Sequence, residues 1–173
     1  MDGKNLDKLK ALQNDRLNAF VAEAIELTNP ESVFVCTDAD EDLTAIRELA
    51  KNGGGEHPLK TPGHTCHFDG PNDQARDKAN TKYLLPEGME LGESLNAMDK
   101  AEGTAEVMGF LKDSYKHKQM LICFFCLGPT NSDFSIPCVQ ITDSPYVAHS
   151  ECILYRPGYE QFKKAGDAFF RFL

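Results

Sequence analysis

Hydrophobic residues recur every three or four positions at the start of the chain, at Leu6, Leu9, Leu12, Leu17, Phe20, Val21, Ala24 and Ile25. That spacing lines one face of a helix. It predicts one long amphipathic helix ending before Asn29-Pro30, because the residue ahead of a proline is pushed out of helical geometry. Ser32 to Cys36 is short and rich in β-formers, which predicts a strand. The acidic run Asp38 to Asp42 follows. Such a run is either a solvated face or the first turn of a helix, where negative charge meets the positive dipole end. Leu43, Ile46 and Leu49 supply that helix with an apolar stripe, and Asn52-Gly53-Gly54-Gly55 ends it.

His57 to Asp73 is rich in Gly, Pro, His and Asp and reads as a loop. Thr81 to Leu85 predicts a strand closed by Pro86, Gly88 to Glu93 a turn, and Ala101 to Lys116 a helix carrying Val107, Met108, Phe110 and Leu111. Met120 to Leu127 is apolar on both parities. A strand of that kind needs cover on both faces, as at the centre of an α/β sheet. A polar loop, Gly128 to Ser135, leads to a strand at Ile136 to Ile141. Asp143-Ser144-Pro145 is a helix start, with a capping oxygen just ahead of a proline. That helix runs to Leu154, stops at Pro157-Gly158, and a last helix begins near Tyr159. Phe169 to Leu173 is apolar and uncapped. Two readings stay open: a chain cut inside a longer protein, or a terminal helix docked on the core.

Composition sharpens this picture. The 173 residues suit a single domain, and 41% hydrophobic against 26% charged is ordinary for a folded one. The formal net charge of −9 argues against nucleic acid or an anionic membrane as partner. No apolar run approaches the ~20 residues of a membrane helix, and no apolar export segment follows Met1-Asp2-Gly3-Lys4. A cytoplasmic setting is expected, with the six cysteines as thiols rather than a disulfide framework.

Four motifs invite chemistry. Cys123-Phe124-Phe125-Cys126 has metal or redox spacing, but residues three apart on a strand point to opposite faces, so buried structural thiols are expected. His64, Cys66 and His67 could ligate a metal from a loop, yet no second ligand pair stands at an informative distance. With the C-x-x-C pair they define one rival reading, a zinc-binding interaction module. Gly53-Gly54-Gly55 with Lys60-Thr61 has the residue types of a phosphate loop, but Pro58-Leu59 precedes the lysine and the pattern fails. Arg76 could present its planar fork to a carboxylate or phosphate, or pair with Asp73 or Asp77 on the surface.

Two stretches carry a resemblance. Gly128-Pro129, Ser135 and then Gln140-Ile141-Thr142-Asp143-Ser144-Pro145-Tyr146-Val147 resemble a signature of GTP-dependent phosphoenolpyruvate carboxykinases. Ala75-Arg76, with Thr81 five residues beyond the arginine, resembles the family's early Ala-Arg segment. Weaker similarity runs from Asn18 through Pro30, Cys36 and the acidic run. The resemblance implies an enzyme that converts oxaloacetate and GTP to phosphoenolpyruvate, carbon dioxide and GDP, using manganese and magnesium. It implies that Arg76 binds the substrate carboxylate. The Gly128 to Ser135 loop and the Asp143 turn are expected to be architectural.

The chain also departs from the family. An apolar residue, a glutamate and a serine follow the family's arginine, whereas Asp77, Lys78 and Ala79 follow here, so only Arg76 carries over. Beyond Tyr155 the tail diverges, which suggests a distant branch. The family's phosphate loop, metal ligands and guanine pocket lie beyond the equivalent of Leu173. The apolar end therefore reads as a truncation. Catalytic, cofactor-binding and metal residues are not expected within residues 1–173, nor is bound GTP or metal. The expectation is a mixed α/β fold, a central sheet flanked by helices, forming the N-terminal substrate-side domain. The alternative is a stand-alone, non-catalytic small-molecule binding domain of shared ancestry.

Overall fold

The computed structural model describes residues 1–70, 77–78 and 80–173. The expected mixed α/β fold is what it contains. Two helices open the chain, α1 (Gly3–Lys10) and α2 (Asp15–Thr28), followed by β1 (Ser32–Val35) and α3 (Asp40–Asn52). The middle holds four short strands, β2 (His57–Pro58), β3 (Thr65–Cys66), β4 (Tyr83–Leu85) and β5 (Ala97–Asp99), and then α4 (Lys100–Leu111). The rest is β6 (Gln119–Leu127), β7 (Ile136–Thr142), α5 (Pro145–Leu154), β8 (Arg156–Pro157), α6 (Tyr159–Ala165) and β9 (Phe170–Phe172).

The single long N-terminal helix predicted from periodicity is two helices. Local and distant groups together make the break. Gln13 takes a left-handed conformation (φ 48°), and Asn14 caps α2 by accepting from the Leu17 amide at 2.8 Å. The Asn14 amide also donates to the Gly166 carbonyl at 2.5 Å, so a partner 152 residues away holds the break in place. The predicted end is correct, with Asn29 left-handed just past Thr28.

The main sheet runs β1-β6-β7-β9, with β8 also on β6. β1 is parallel to β6, β7 antiparallel to it, and β9 parallel to β7. As its two apolar parities predicted, β6 is covered on both sides. Met120, Ile122 and Phe124 join Val33, Val35, Val139 and Ile141 under α1, α2 and α6. Leu121, Cys123 and Phe125 join Cys36 and Cys138 on the other face, against Ile46 of α3 and Ala148 of α5. Burying side chains of this size stabilises the fold by roughly 1.5–3 kcal/mol each, which makes this strand the centre of the domain.

The chain end is also not a docked helix. The last helix stops at Ala165, Phe169 is buried among the first core, and Phe170–Phe172 lies along β7. Phenylalanines at alternate positions suit a strand better than a helical face.

The acidic run is only partly a solvated face. Asp42 turns inward and accepts from Lys8 Nζ on both oxygens at 2.8 Å. Asp38 reaches across to α6, accepting from the Tyr159 and Glu160 amides at 2.9 and 3.0 Å. It thereby caps a helix that has no capping side chain of its own.

Candidate functional site

The Ser144-Pro145 start of α5 forms as predicted. Ser144 Oγ accepts from the Val147 amide at 3.3 Å, and Pro145 occupies the first turn. The turn ahead of it is tied down as well. Lys118 Nζ donates to Asp143 Oδ2 at 2.5 Å. Beside it lies a cavity of about 270 Å³ lined by Gly53, Gly55, Lys118, Asp143, Ser144 and Tyr146 among others.

The glycine triplet packs onto this helix start. A Cβ on Gly55 would meet Tyr146 Cβ at 3.0 Å, so only glycine lets the loop approach so closely. The next residue, Glu56, is buried. Its carboxylate accepts from Thr65 Oγ1 at 2.6 Å and from His149 Nδ1 at 2.5 Å. Burial works to raise this carboxyl, but the Thr65 and His149 hydrogen bonds and the nearby positive charges outweigh it and hold it below the ordinary glutamate range. His67 stacks on Tyr146 with ring centroids 3.6 Å apart and donates from Nδ1 to the Gly55 carbonyl at 2.5 Å. Its Nε2 stands 3.3 Å from Asp69. Arg47 of α3 donates to the Gly63 carbonyl. The loop from Gly53 to Asp69 is thus latched to α3 and to the first turns of α5.

This latch accounts for part of the motif from His64 to His67. His67 is engaged with Gly55, Tyr146 and Asp69, while Cys66 is half-buried in β3. Cys123 and Cys126 are both buried on β6 and, three residues apart, face opposite sides. Among the described residues no three His, Cys, Asp or Glu side chains are arranged to hold a metal ion.

Arg76, the sequence-predicted substrate residue, lies outside the described residues. Just past it, the Asp77 carboxylate accepts from the Asn80 amide at 3.0 Å and from the Asn80 side chain at 2.6 Å. The Gly128 to Ser135 loop is architectural in its geometry. Gly128 is left-handed (φ +75°), with the Phe134 carbonyl only 2.5 Å from where a Cβ would stand. Ser135 Oγ donates to the Pro129 carbonyl at 2.6 Å. With α6 this loop borders a cleft of about 400 Å³ that includes Asn131, Ser132, Gln161 and Lys164.

The pairs Glu56–His149 and Lys8–Asp42 were not anticipated. The only signal for Glu56 is its place after a glycine triplet, and nothing local marks His149 or Lys8. No helix among the described residues is long and apolar enough to cross a membrane.

A mixed sheet covered on both faces, with a glycine-rich loop latched to a Ser-Pro helix start, defines a mixed α/β domain. The chain belongs to the phosphoenolpyruvate carboxykinase N-terminal domain family, which it matches over residues 19–173. It is 52% identical over 166 residues to the phosphoenolpyruvate carboxykinase [GTP] of Thermococcus sibiricus, covering 96% of this chain and 26% of that protein. It is 51% identical over 175 residues to the protein of the same name from Thermococcus kodakarensis, covering 100% and 28%. For the Pyrococcus horikoshii protein the figures are 51% over 169 residues, covering 96% and 27%. The chain therefore spans about a quarter of the length of these relatives.

Proposed function

We propose that this chain is the N-terminal, substrate-side part of a cytoplasmic enzyme that converts oxaloacetate and GTP to phosphoenolpyruvate, carbon dioxide and GDP. The observation that carries this reading is the family match together with identities near 50% to proteins named for that activity. In this reading Arg76 binds the substrate carboxylate. A planar, permanently charged fork recognises a carboxylate in two-point fashion. The latch at Glu56, His67 and Tyr146 ties the loop that ends at Asp69, seven residues before Arg76 in sequence, to α5.

The described residues do not fit a resident metal, since no three candidate ligands are arranged for one. In this reading manganese, magnesium and nucleotide are not held by this stretch. Those groups are assigned to the three-quarters of the relatives' length that this chain does not match. What these residues supply is binding and orientation, a share of catalysis that depends on fixed geometry.

A coupled assay tests the proposal. A full-length protein carrying this segment is expected to form phosphoenolpyruvate from oxaloacetate only with GTP and a divalent metal. Residues 1–173 alone are expected to give no turnover. A full-length protein without this activity, together with tight binding of oxaloacetate to residues 1–173 alone, would favour the non-catalytic binding domain.

A further inference from the structure

β6 pairs with β7 along one edge, from Leu121 to Leu127. Its other edge is shared. β1 covers Gln119 to Ile122 and β8 covers Phe125 and Cys126. At Cys123 and Phe124 neither strand lies alongside. Cys36 is the first residue past β1, and its amide still donates to the Ile122 carbonyl at 2.9 Å. Beyond the break, the Gly158 amide donates to the Phe124 carbonyl at 3.0 Å. Cys152, in the last turn of α5, comes in over the same break. The result is a cavity of about 30 Å³ bordered by Cys36, Cys123 and Cys152 and closed by Leu43, Phe125 and Pro157. The Cys36 thiol itself donates to the Thr37 carbonyl at 3.5 Å, and all three cysteines line this one cavity. Cys138 lies on this face too, but its thiol points to the Phe125 carbonyl at 3.5 Å and it does not border the cavity.

We propose that Cys36 and Cys152 form a reversible dithiol–disulfide site, oxidised by exchange with a small-molecule disulfide. The choice of pair follows from position. Cys123 sits mid-strand, 1% exposed, within a ladder that fixes its backbone. Cys36 and Cys152 stand at the ends of their elements, where the backbone can adjust to the geometry a disulfide demands. Cys152 is half-buried and Cys36 buried, so a reagent meets Cys152 first. With no three ligands arranged for a metal ion among the described residues, sulfur–sulfur chemistry is the use the cluster supports.

The exchange balances in two steps. Cys152 gives up its proton and attacks one sulfur of the reagent. The reagent's S–S bond breaks and one thiol departs. Cys36 then gives up its proton and attacks Cys152 Sγ, expelling the second thiol. Two S–H bonds are lost, one S–S bond forms, and two electrons leave with the reduced reagent. Hydrogen bonding to Cys123 and burial push the Cys36 thiol up, and hydrogen bonding to Cys36 and burial do the same for Cys152. Thiolate is scarce in both, so the exchange is slow.

Peptide mapping tests this. The protein is incubated with oxidised glutathione, its remaining thiols are alkylated, and the digest is read by mass spectrometry. The expected product joins the Cys36 and Cys152 peptides, separates on reduction with dithiothreitol, and raises the thermal midpoint of the oxidised protein. Cys152→Ser should abolish both the cross-link and the rise. A persistent glutathione adduct on Cys152, a Cys36–Cys123 link, or no reaction until the protein unfolds would each overturn the proposal. Because the map of the unmutated protein decides alone, the outcome stands even where the variant folds poorly.

Discussion

His149 Nδ1 lies 2.5 Å from Glu56 Oε1, and the two residues are 93 positions apart in the chain. The pair joins the loop after α3 to the second turn of α5, and both partners are buried. Removing one partner leaves the other polar and unsatisfied, which costs about 1–3 kcal/mol. Glu56→Ala is therefore expected to lower the unfolding free energy by that amount in urea titration. Val substituted for Thr65 should cost less, since the carboxylate keeps His149.

The same carboxyl sets a pH dependence. Its folded pKa lies below the ordinary glutamate value of 4.5. A depressed carboxyl contributes stability that is fully present above the unfolded value and is lost as pH falls through the folded one. The contribution of Glu56 should be level above about pH 5 and decline as pH falls below about 4.5. In Glu56→Gln this part of the decline should shrink, as read from denaturation midpoints across the acid range.

Lys8 and Asp42 form a second, part-buried pair, with side chains 15% and 11% exposed. Asp42 also accepts from the Thr37 amide and hydroxyl at 2.9 and 2.6 Å. Asp42→Ala strands more donors than Lys8→Ala does. It should be the more destabilising of the two, by at least about 1 kcal/mol. A double-mutant cycle should return a coupling well above the 0.2–1 kcal/mol of roughly typical exposed pairs.

Two glycines should respond in opposite directions to alanine. A Cβ on Gly158 would stand 2.3 Å from the Phe125 carbonyl carbon, which is backbone in the central strand. Gly158→Ala should be severely destabilising, because neither partner can move without breaking the β6–β8 pairing. Gly109 lies inside α4 with nothing within 4 Å of a new Cβ. Gly109→Ala should stabilise by roughly 0.5–1 kcal/mol through helix propensity alone.

Arg76→Ala, in a full-length protein, should lower kcat/KM by about ten- to a hundredfold, the size expected for losing a charge-assisted hydrogen bond. Arg76→Lys should fall between, since a lysine keeps the charge but not the fork. Thermal stability should barely change. Retained catalytic efficiency, or a loss explained by unfolding, would remove the proposed role.

Much of this domain can be read from local sequence because its causes are local. Eight apolar residues in a row require cover on both faces, and β6 has it. Serine ahead of proline starts α5, and asparagine and glycine stop α2 and α3, through hydrogen bonds made within a few residues. The residues that resemble the carboxykinase signature are likewise contiguous, so the family is visible before any fold is known. Tertiary structure decided what depends on distant partners. Periodicity carries Leu9, Leu12 and Leu17 along one face, and only Asn14 meeting Gly166 shows why the helix breaks between them. Asp38 looks solvated until α6 arrives beneath it. Phe170 and Phe172 have no strand to join until β7 lies beside them. Cys36, Cys123 and Cys152 share a cavity only because β1 and β8 leave a gap on the same edge of β6. Each of these arrangements is a meeting of groups separated by tens of residues, and no local propensity encodes which of them the sheet topology brings together.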